Sequence, residues 1–401
     1  MPREGIAIAN VSLQSLENDS RVLRTIAALE KAGYVCPVVA PGHGLRVQRL
    51  TAARKARMAL SCGTAARLGH KAAQAAFFSL DHHRDALDAL LRLNPDAIHA
   101  HDWDGLIVGA RAARTLGIPF AYDAHELAAH MHAERRLWSL AIAPLIGVLE
   151  GPAAREAAFV VAVSDGLAAA LRTAHRLECP VMTIRNIAET PAIDRLELRD
   201  PEAPILMHYH GILARGRGLE AALDAMETLP EKFHLRLTGP WRQPVFKAHV
   251  CERLADSSIG DRIEIVEPIA HNRLVAHAID ADIGLCMLPP GSRHNAIALP
   301  NKVFDYLKAG LGVIASGSNE LDWIEQAGAA RLLDQSSGPA LAQALLSLDR
   351  AAIDTMRARA VELGRLHSWQ DEKLKLTNAW AGLRPLMAEG KFGNGAHGLY
   401  A

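Results

Sequence analysis

The sequence contains the stretch Ala298-Leu-Pro-Asn-Lys-Val-Phe-Asp-Tyr306, which runs on into Leu307-Lys-Ala-Gly-Leu-Gly-Val-Ile-Ala-Ser316. The Leu-Pro turn predicts the start of a helix, Gly310 predicts its end, and the apolar run that follows predicts a strand. Lys302 and Asp305 would then lie one turn apart on the same helix face. A cation and a carboxylate so placed suit a ligand that carries phosphate and ribose hydroxyl groups, although an ordinary surface ion pair has the same spacing.

The alternation of helix and strand in this stretch recurs along the whole chain. Short apolar runs bounded by turn residues predict strands at residues 6–9, 37–40, 97–100, 120–122, 159–163, 181–184, 205–208, 235–237, 263–266, 283–287, 313–315 and 330–333. Strands that alternate with helices predict parallel sheets joined by right-handed crossovers. The fold class is therefore α/β, with two doubly wound, Rossmann-like domains.

The least apolar segment between the two sets of strands is 187–204, which is rich in acidic residues and proline and predicts a linker. We therefore expect domains at 1–190 and 191–367, followed by a closing helix and a tail at 368–401. In such folds ligands bind at the carboxyl ends of the strands, so we expect a site in a cleft between the domains.

Composition narrows the class of function. The 401 residues contain 44 Lys and Arg and 44 Asp and Glu, and this zero net charge argues against general nucleic-acid binding. We expect no signal peptide, because the N-terminal residues lead straight into a strand, and we expect no membrane-spanning segment, because no apolar run is long enough. Five cysteines without metal-ligand spacing predict reduced thiols in a cytoplasmic protein; they are Cys36, Cys62, Cys179, Cys251 and Cys286.

Polar clusters follow two neighbouring strands of the first half. His99-Ala-His101-Asp102-Trp-Asp104 follows the third strand, and Tyr122-Asp-Ala-His125-Glu126 follows the fourth. Parallel strands end at one edge of a sheet, so these clusters can converge on one site, although aspartates there can equally serve as helix caps. Asp19 is expected to cap the first helix in the same way.

The Asp-x-Asp pattern occurs twice, at Asp102-Trp-Asp104 and at Asp280-Ala-Asp282. It can bind a divalent metal ion on a nucleotide diphosphate, but a three-residue pattern arises often by chance. We therefore predict no metal site.

Strand ends of the second half carry glycines and arginines. His210-Gly211 leads into Arg215-Gly-Arg217-Gly218, and Gly239-Pro240 and Glu267-Pro268 close two further strands. Arginine among glycines can approach a diphosphate closely with its planar guanidinium. The sequence lacks the glycine-rich dinucleotide fingerprint, the P-loop and the Gly-x-Ser-x-Gly elbow, which argues against the classes of enzyme that use them.

Together these motifs resemble the two-domain GT-B glycosyltransferases, in particular the retaining enzymes of family 4. The resemblance covers roughly residues 5–380 and rests on landmarks in the same order, namely Asp19-Ser-Arg-Val-Leu-Arg24, His99-Ala-His101-Asp102, Tyr122-Asp-Ala-His-Glu126, Val163-Ser164, Arg217-Gly218, Leu299-Pro-Asn-Lys302-x-x-Asp305-Tyr306 and Ser368-Trp369. It implies a C-terminal helix that crosses back to the first domain.

The resemblance implies that the C-terminal domain binds a nucleotide-diphosphate sugar, with UDP or GDP as the nucleotide, and that no cofactor or metal is needed. The N-terminal domain would bind a glycan, lipid-linked or small-molecule acceptor. The catalytic residues implied are His101, Arg217 and Lys302; the donor-binding residues are Gly211, Arg217, Gly239, Pro268, Asn295, Leu299, Pro300, Lys302 and Asp305; the acceptor-side residues are Asp19, Arg21, His125 and Glu126.

The chain departs from the family pattern in ways that leave other functions open. Ile297 stands where the family has the first of two glutamates, Asp305 stands for the second, and Ile212 replaces a frequent arginine after Gly211. A non-catalytic nucleotide-sugar-binding protein and a sugar-nucleotide epimerase on the same fold are therefore the alternatives to a glycosyltransferase.

A basic stretch marks the acceptor half. Residues 44–80 contain no Asp or Glu but seven basic residues, which are Arg46, Arg49, Arg54, Lys55, Arg57, Arg67 and Lys71. Such a face can contact an anionic membrane or a phosphorylated acceptor, or it can simply be solvated. The expected location is the cytoplasm, with the inner face of the membrane as an alternative.

Overall fold

The computed structural model describes residues 5–45, 52–131, 135–255 and 258–389, with the backbone alone for residues 18, 44, 52–59 and 388–389. The chain forms two compact units. Unit 1 comprises Met1–Arg185 and Glu372–Ala401, and unit 2 comprises Asn186–Asp371. The chain thus passes between the units at 185/186 and 371/372, where the sequence predicts 190/191 and 367/368.

The predicted strands are confirmed in both units, and one short strand, β3, is added. The strands are β1 (Ile8–Val11), β2 (Val38–Pro41), β3 (Gly44–Leu45), β4 (Ala97–His101), β5 (Phe120–Ala124), β6 (Phe159–Ala162), β7 (Val181–Thr183), β8 (Ile205–His210), β9 (Phe233–Thr238), β10 (Ile263–Val266), β11 (Ile283–Met287), β12 (Gly312–Ser316) and β13 (Ala330–Leu333).

Helices connect the strands throughout. They are α1 (Ser20–Lys31), α2 (Ala52–Arg67), α3 (His70–Phe78), α4 (Asp81–Leu93), α5 (Asp102–Leu116), α6 (Ala143–Ala154), α7 (Asp165–His175), α8 (Leu219–Thr228), α9 (Pro244–Ala255), α10 (Leu274–Ala278), α11 (Arg293–Ala296), α12 (Asn301–Ala309), α13 (Asp322–Gln326), α14 (Gly338–Leu346), α15 (Arg350–Leu366), α16 (Trp369–Gly382) and α17 (Arg384–Glu389). A π-helical turn, Trp138–Ile142, precedes α6.

Each unit contains one parallel sheet. Within the described residues, the sheet of unit 1 has seven strands in the order β3-β2-β1-β4-β5-β6-β7, and the sheet of unit 2 has six in the order β10-β9-β8-β11-β12-β13. Both are doubly wound, because the connections run one way from the first strand of each unit and then the other way. The crevice at the switch point lies between β1 and β4 in unit 1 and between β8 and β11 in unit 2.

Helices cover both faces of the unit 2 sheet. Met207, Leu237 and Leu285 contribute to a core with Leu223 of α8 and Leu341 of α14. A second core lies on the opposite face, where strand residues pack against α10, α12 and α13. The near-continuous burial of these strands is typical of a parallel sheet between two helical layers.

The C-terminal segment packs on unit 1. The backbone N–H of Arg185 donates to Glu372 Oε2 at 2.9 Å, and Lys375 Nζ donates to Thr183 O at 3.3 Å. Farther along, the Arg384 guanidinium lies 4.7 Å from the centroid of the Tyr34 ring and donates to its hydroxyl group. The end of the chain is therefore a structural part of the unit that its beginning forms.

Gly284 of β11 fixes the position of α12. A Cβ atom at Gly284 would lie between 2.3 and 2.7 Å from carbon atoms of the Tyr306 ring. Tyr306 is buried, and its hydroxyl group donates to Leu285 O at 3.1 Å. The missing side chain therefore admits the aromatic ring that holds this helix against the sheet.

We predict that Gly284→Ala lowers the free energy of unfolding by about 2 kcal/mol, because the added methyl group displaces the Tyr306 ring. Gly147→Ala in α6 is the matched control, since an added Cβ there meets no atom within 4 Å. Urea denaturation of both variants checks the prediction, and an equal stability for the two would contradict it.

Candidate functional site

The carboxyl edge of the unit 2 sheet is lined by two glycines with positive φ. Gly211 follows β8 with φ +123°, and Gly239 follows β9 with φ +144°. A Cβ atom at Gly239 would lie 2.0 Å from Gly211 O, so the two strand ends can approach each other only without side chains. They form an open shelf of backbone beside the switch point.

Lys302 and Arg217 bring positive charge to this shelf. Lys302 is the second residue of α12, and its Nζ atom lies 3.6 Å from the centroid of the Tyr209 ring. Arg217 is exposed ahead of α8. Gly218, the residue after Arg217, lies against the end of β11, where an added Cβ would be 2.3 Å from Met287 Cβ. Burial raises the pKa of the Cys286 thiol in this strand, and the charges of Lys302 and Arg217 both oppose that shift. Among the described residues, neither cation pairs with a carboxylate.

Asp305 does not form an exposed ion pair with Lys302, because it is buried and binds another residue. Its side chain is 2% exposed, and its Oδ2 atom lies 3.1 Å from Nε2 of His210, whose side chain is 4% exposed. Burial lowers the pKa of His210 against the effect of Asp305, so at neutral pH the histidine donates to the carboxylate as a neutral ring. The ordinary surface ion pair between Lys302 and Asp305 is thereby ruled out, while the ribose role of Asp305 stays a prediction.

The other residues that were predicted to bind the nucleotide-sugar donor lie around the same edge of the sheet. Asn295 donates through Nδ2 to Pro289 O at 2.8 Å, and Leu299 is buried before α12. Pro300 occupies the N-cap position of α12 with an extended backbone. Pro268 is exposed two residues beyond β10. Their contacts with a donor remain predictions.

In unit 1, a buried carboxylate organises the edge at the switch point. Asp123 of β5 is 1% exposed, and Arg21 binds it through Nε and through Nη2, with the Nη2–Oδ1 distance 2.6 Å. Burial alone would raise the pKa of Asp123, but Arg21, followed by the charge of His125, holds it well below its usual range. Asp123 is therefore ionised in the interior.

Three histidines face the same Asp123 oxygen. His101 Nδ1 lies 3.3 Å from Oδ2, His125 Nε2 lies 3.4 Å away and His99 Nε2 lies 3.7 Å away. Burial lowers the pKa of His101 to about 4, with His99 and His125 adding to the effect. His101 is accordingly neutral near pH 7.

His125 is charged for the opposite reason. Its ring lies between Asp123 and Asp102, whose Oδ1 atom is 3.4 Å from His125 Nδ1. Burial opposes protonation, but the two carboxylates prevail and raise the pKa of His125 to about 9. Asp102, with 26% of its side chain exposed and a positive φ of 58° at the start of α5, presents this pair at the surface.

The predicted acceptor-side residues have different surroundings. Asp19 caps α1 by accepting from Val22 N at 3.1 Å, as predicted. Arg21 is 4% exposed and turns inward to Asp123, so it supports the cluster from within. Burial raises the pKa of Asp102 to about 7, and the charge of the half-buried Glu126 adds to that rise.

Comparison with known proteins finds a family profile that matches part of the chain. Residues 19–186 match the profile of the "Glycosyl transferase 4-like domain". These residues lie in unit 1 and its junction with unit 2, so most of unit 1 is similar to a domain of that family. Comparison with curated proteins finds no match. The resemblance to GT-B glycosyltransferases of family 4 is thus confirmed.

Solved structures confirm the GT-B fold over the whole chain. The sucrose-phosphate synthase of Thermosynechococcus elongatus aligns with a TM-score of 0.71 at 16% identity, covering 95% of this chain and 100% of that one. Anabaena HepE in complex with UDP-glucose gives 0.67 at 13%, covering 94% and 100%. A Listeria monocytogenes protein described as a UDP-N-acetylglucosamine 2-epimerase gives 0.57 at 13%, covering 97% and 98%.

Among its described residues, unit 1 holds two sets of potential metal ligands, and the ligand atoms of each set lie within 4.8 Å of one another. They are His99, His101 and Asp123, and Asp19, Asp102 and His125. Arg21 occupies the carboxylate of the first set, and protonated His125 bridges carboxylates around the second. Arg21 therefore neutralises the carboxylate of the first set, and a protonated His125 offers no lone pair to a metal ion in the second. Metal independence stays a prediction.

The second Asp-x-Asp pattern serves unit 2 in another way. Asp280 binds Arg236 with an Oδ1–Nη1 distance of 2.7 Å, and Asp282 binds Arg350 at the same distance. Both carboxylates are thus held by arginines.

Sequence reasoning quoted Asp123, His99 and His210 within motifs but assigned none of them a role, and it assigned none to Asn10 or Trp380 either. A signal for Asp123 was available, because a carboxylate in the otherwise apolar strand Phe120–Ala124 needs a buried partner. Asn10 on β1 accepts at 3.3 Å through Oδ1 from His101 Nε2. No local pattern reveals that contact.

We predict that the stability of unit 1 falls as pH rises above neutrality, because of His125. Its folded pKa of about 9 exceeds the usual 6.5, so the stabilisation is complete below pH 6.5 and is lost as pH rises through about 9. Between about pH 7 and about pH 8.5 the loss should be about 1 to 2 kcal/mol.

Urea denaturation at the two pH values, for the wild type and His125→Gln, checks this. The buried thiols titrate in both proteins and cancel in the comparison. Equal pH dependence of the two would refute the assignment of this effect to His125.

Proposed function

We propose that the protein transfers a glycosyl group from a nucleotide-diphosphate sugar to a hydroxyl group of an acceptor, with retention of configuration. The observation that carries the proposal is the pair of cations, Lys302 and Arg217, on the glycine shelf at the unit 2 switch point. Neither is neutralised by a carboxylate in the described structure, so both are available to an anionic ligand. A diphosphate with UDP or GDP as the nucleotide fits this chemistry.

The same cations would lower the barrier to transfer. When the sugar leaves, negative charge grows on the diphosphate, and preorganised positive groups stabilise such charge more in the transition state than in the ground state. The first-turn amides of α12 and its dipole act in the same direction. Gly211 supports this reading, since a Cβ at that position would lie 3.6 Å from Lys302 Nζ and narrow the shelf.

The groups near Lys302 are compatible with the retention that we propose. Retaining glycosidases use two carboxylates, one as nucleophile and one as acid. Around the described shelf Asp305 is bound to His210, and Ile297 replaces the other family carboxylate. In our proposal the departing phosphate oxygen takes the acceptor proton on the same face, and the free Oδ1 of Asp305 accepts from a ribose hydroxyl group.

The acceptor is proposed to bind at the carboxyl edge of unit 1. Asp102 and Asp19 are partly exposed there, and His101 lies beneath them. Carboxylates bind the hydroxyl groups of sugars, so a glycan or the sugar of a lipid-linked acceptor suits this edge. HepE, a structural neighbour, holds UDP-glucose, which supports a sugar nucleotide as donor here.

An epimerase is the second candidate, because one structural neighbour is described as a UDP-N-acetylglucosamine 2-epimerase. The match of residues 19–186 to a glycosyl transferase domain favours transfer. Incubation with a sugar nucleotide alone distinguishes the two, since an epimerase would interconvert the sugar without an acceptor. A donor screen by thermal shift identifies the nucleotide first, because a ligand that binds only the folded state raises its stability.

We predict that Lys302→Ala lowers the rate of donor turnover by about 100-fold or more, as loss of one preorganised donor does in other enzymes. Transfer or donor hydrolysis with the sugar nucleotide from the screen measures it. Lys247→Ala removes the same charge from an exposed position on α9 and should leave the rate unchanged. Wild-type turnover by Lys302→Ala would overturn the proposal, and donor binding by the wild type without turnover would favour the non-catalytic alternative.

A lipid surface is the second partner that we propose, at a patch on the face formed by α2 and the Trp138–Ile142 turn. The two elements touch at Gly63, where an added Cβ would lie 2.9 Å from Leu140 O. Leu60, one turn before Gly63, is 71% exposed, and Leu137 and Leu140 are 50% and 63% exposed. Exposed leucines so close together favour contact with an apolar phase.

Positive charge accompanies these leucines. Arg67, Lys71 and Arg136 are exposed near them. Of the other predicted basic residues, Arg46 and Arg49 lie outside the described residues, and only the backbone is described for Arg54, Lys55 and Arg57. In the described parts of the chain, no helix is both long enough and apolar enough to cross a bilayer, so the contact that we propose is peripheral.

We predict that the protein co-sediments with phosphatidylglycerol vesicles at low salt and that the double variant Leu137→Gln, Leu140→Gln binds at least about fivefold less, because two leucines no longer enter the bilayer. Leu346→Gln with Leu374→Gln is the control, since these leucines are similarly exposed elsewhere. Equal sedimentation of both variants, or none by the wild type, would refute the lipid contact.

A further inference from the structure

Trp380 enters the polar cluster of unit 1 from the C-terminal segment. It lies on α16, is fully buried, and packs edge-on against Phe159 of β6 with ring centroids 5.2 Å apart. Its indole Nε1 lies 3.2 Å from His99 Nδ1. This is a direct polar contact between the end of the chain and the strand that carries His101.

The indole determines which nitrogen of His99 carries the proton. An indole N–H can only donate, so Nδ1 of His99 must accept, and a neutral His99 then carries its proton on Nε2. That nitrogen faces Asp123 Oδ2 at 3.7 Å. Trp380 therefore turns an N–H group of His99, and not a lone pair, toward the buried carboxylate.

The direction of the His99 N–H group matters because His101 faces the same oxygen of Asp123. Asn10 donates through Nδ2 to Ile8 O, so its Oδ1 atom faces His101 Nε2 at 3.3 Å. Neutral His101 must then carry its proton on Nε2 and turn the lone pair of Nδ1 toward Asp123 Oδ2. If His99 also turned a lone pair to that oxygen, two repulsive contacts would meet there, with His125 and Arg21 as the remaining donors to Asp123.

We propose that Trp380 is a positioning residue for the acceptor-side cluster: its indole N–H fixes the tautomer of His99, so that an N–H group and not a lone pair of His99 faces the Asp123 oxygen that His101 and His125 share. The effect on sugar transfer rests on the proposed function, whereas the tautomer itself does not. Trp380 touches no reacting atom in this proposal and acts only through His99.

Trp380→Phe removes the N–H and keeps an aromatic ring against Phe159. In the ¹⁵N-histidine-labelled full-length wild type, His99 should be protonated on Nε2 with Nδ1 accepting. In the variant a substantial fraction of His99 should move its proton to Nδ1. A lone pair then faces Asp123, so the surroundings of His101 and His125 become more negative and both should titrate at higher pH than in the wild type.

Phe159→Leu is the matched control, because it disturbs the packing of the same indole and leaves its N–H in place. It should keep the wild-type tautomer and the wild-type titration of His101 and His125. Transfer by Trp380→Phe should show a kcat about tenfold lower with a shifted pH profile and an unchanged donor KM, as loss of an orienting partner produces elsewhere. Phe159→Leu should retain the wild-type pH profile.

A wild-type His99 protonated on Nδ1 would overturn the proposal without any variant, and so would a Trp380→Phe protein whose histidine tautomers and titrations match the wild type. If the tautomer shifts as expected but the wild type transfers no sugar, the positioning role stands and the proposed function fails. If transfer is normal in Trp380→Phe although the tautomer has shifted, the link to catalysis is wrong.

Discussion

Every pairing between neighbouring strands of the two sheets is parallel, and most of what is distinctive in this protein depends on that constraint. Parallel strands need crossovers, and right-handed crossovers in two directions leave a crevice beside the first strand of each unit. Residues far apart in sequence meet there because their strands end there. Asn10 and His101 meet in this way in unit 1, as Gly211 and Gly239 do in unit 2.

The two edges handle charge differently. In unit 1, Arg21 pairs with Asp123 and protonated His125 lies beside Asp102. Most of these side chains are buried, and the close pairing offsets the free-energy cost of removing the ions from water. In unit 2, Lys302 rests on an aromatic ring, and the carboxylate one turn away from it is bound to His210. The buried charges at the edge of unit 1 are paired within the protein, whereas the edge of unit 2 keeps cations without a carboxylate partner. That contrast underlies the proposed binding of the anionic donor to unit 2.

The sequence predicted the elements of this fold well because their signals are local. The Leu-Pro turn and Gly310 bound α12 as expected, and the apolar runs match the strands. Partners across the sheet could not be predicted, because nothing in the spacing brings His210 to Asp305, which is 95 residues away. Trp380 lies 281 residues from His99, and the resemblance implied that its helix returns to the first domain but not which residues it meets there. Cations and glycines at strand ends were therefore found, while the groups that neutralise or orient them were not.

The hydrogen bond from the Arg185 backbone to Glu372 bears on which parts of the chain unit 1 needs in order to fold. These two residues are where the chain leaves the unit and where it returns, so the unit is assembled from both ends of the polypeptide. A fragment that stopped at Arg185 would lack Glu372, Trp380 and Arg384, and it would expose the surfaces that they cover. The N-terminal half of this protein is thus finished only when the last part of the chain has been synthesised.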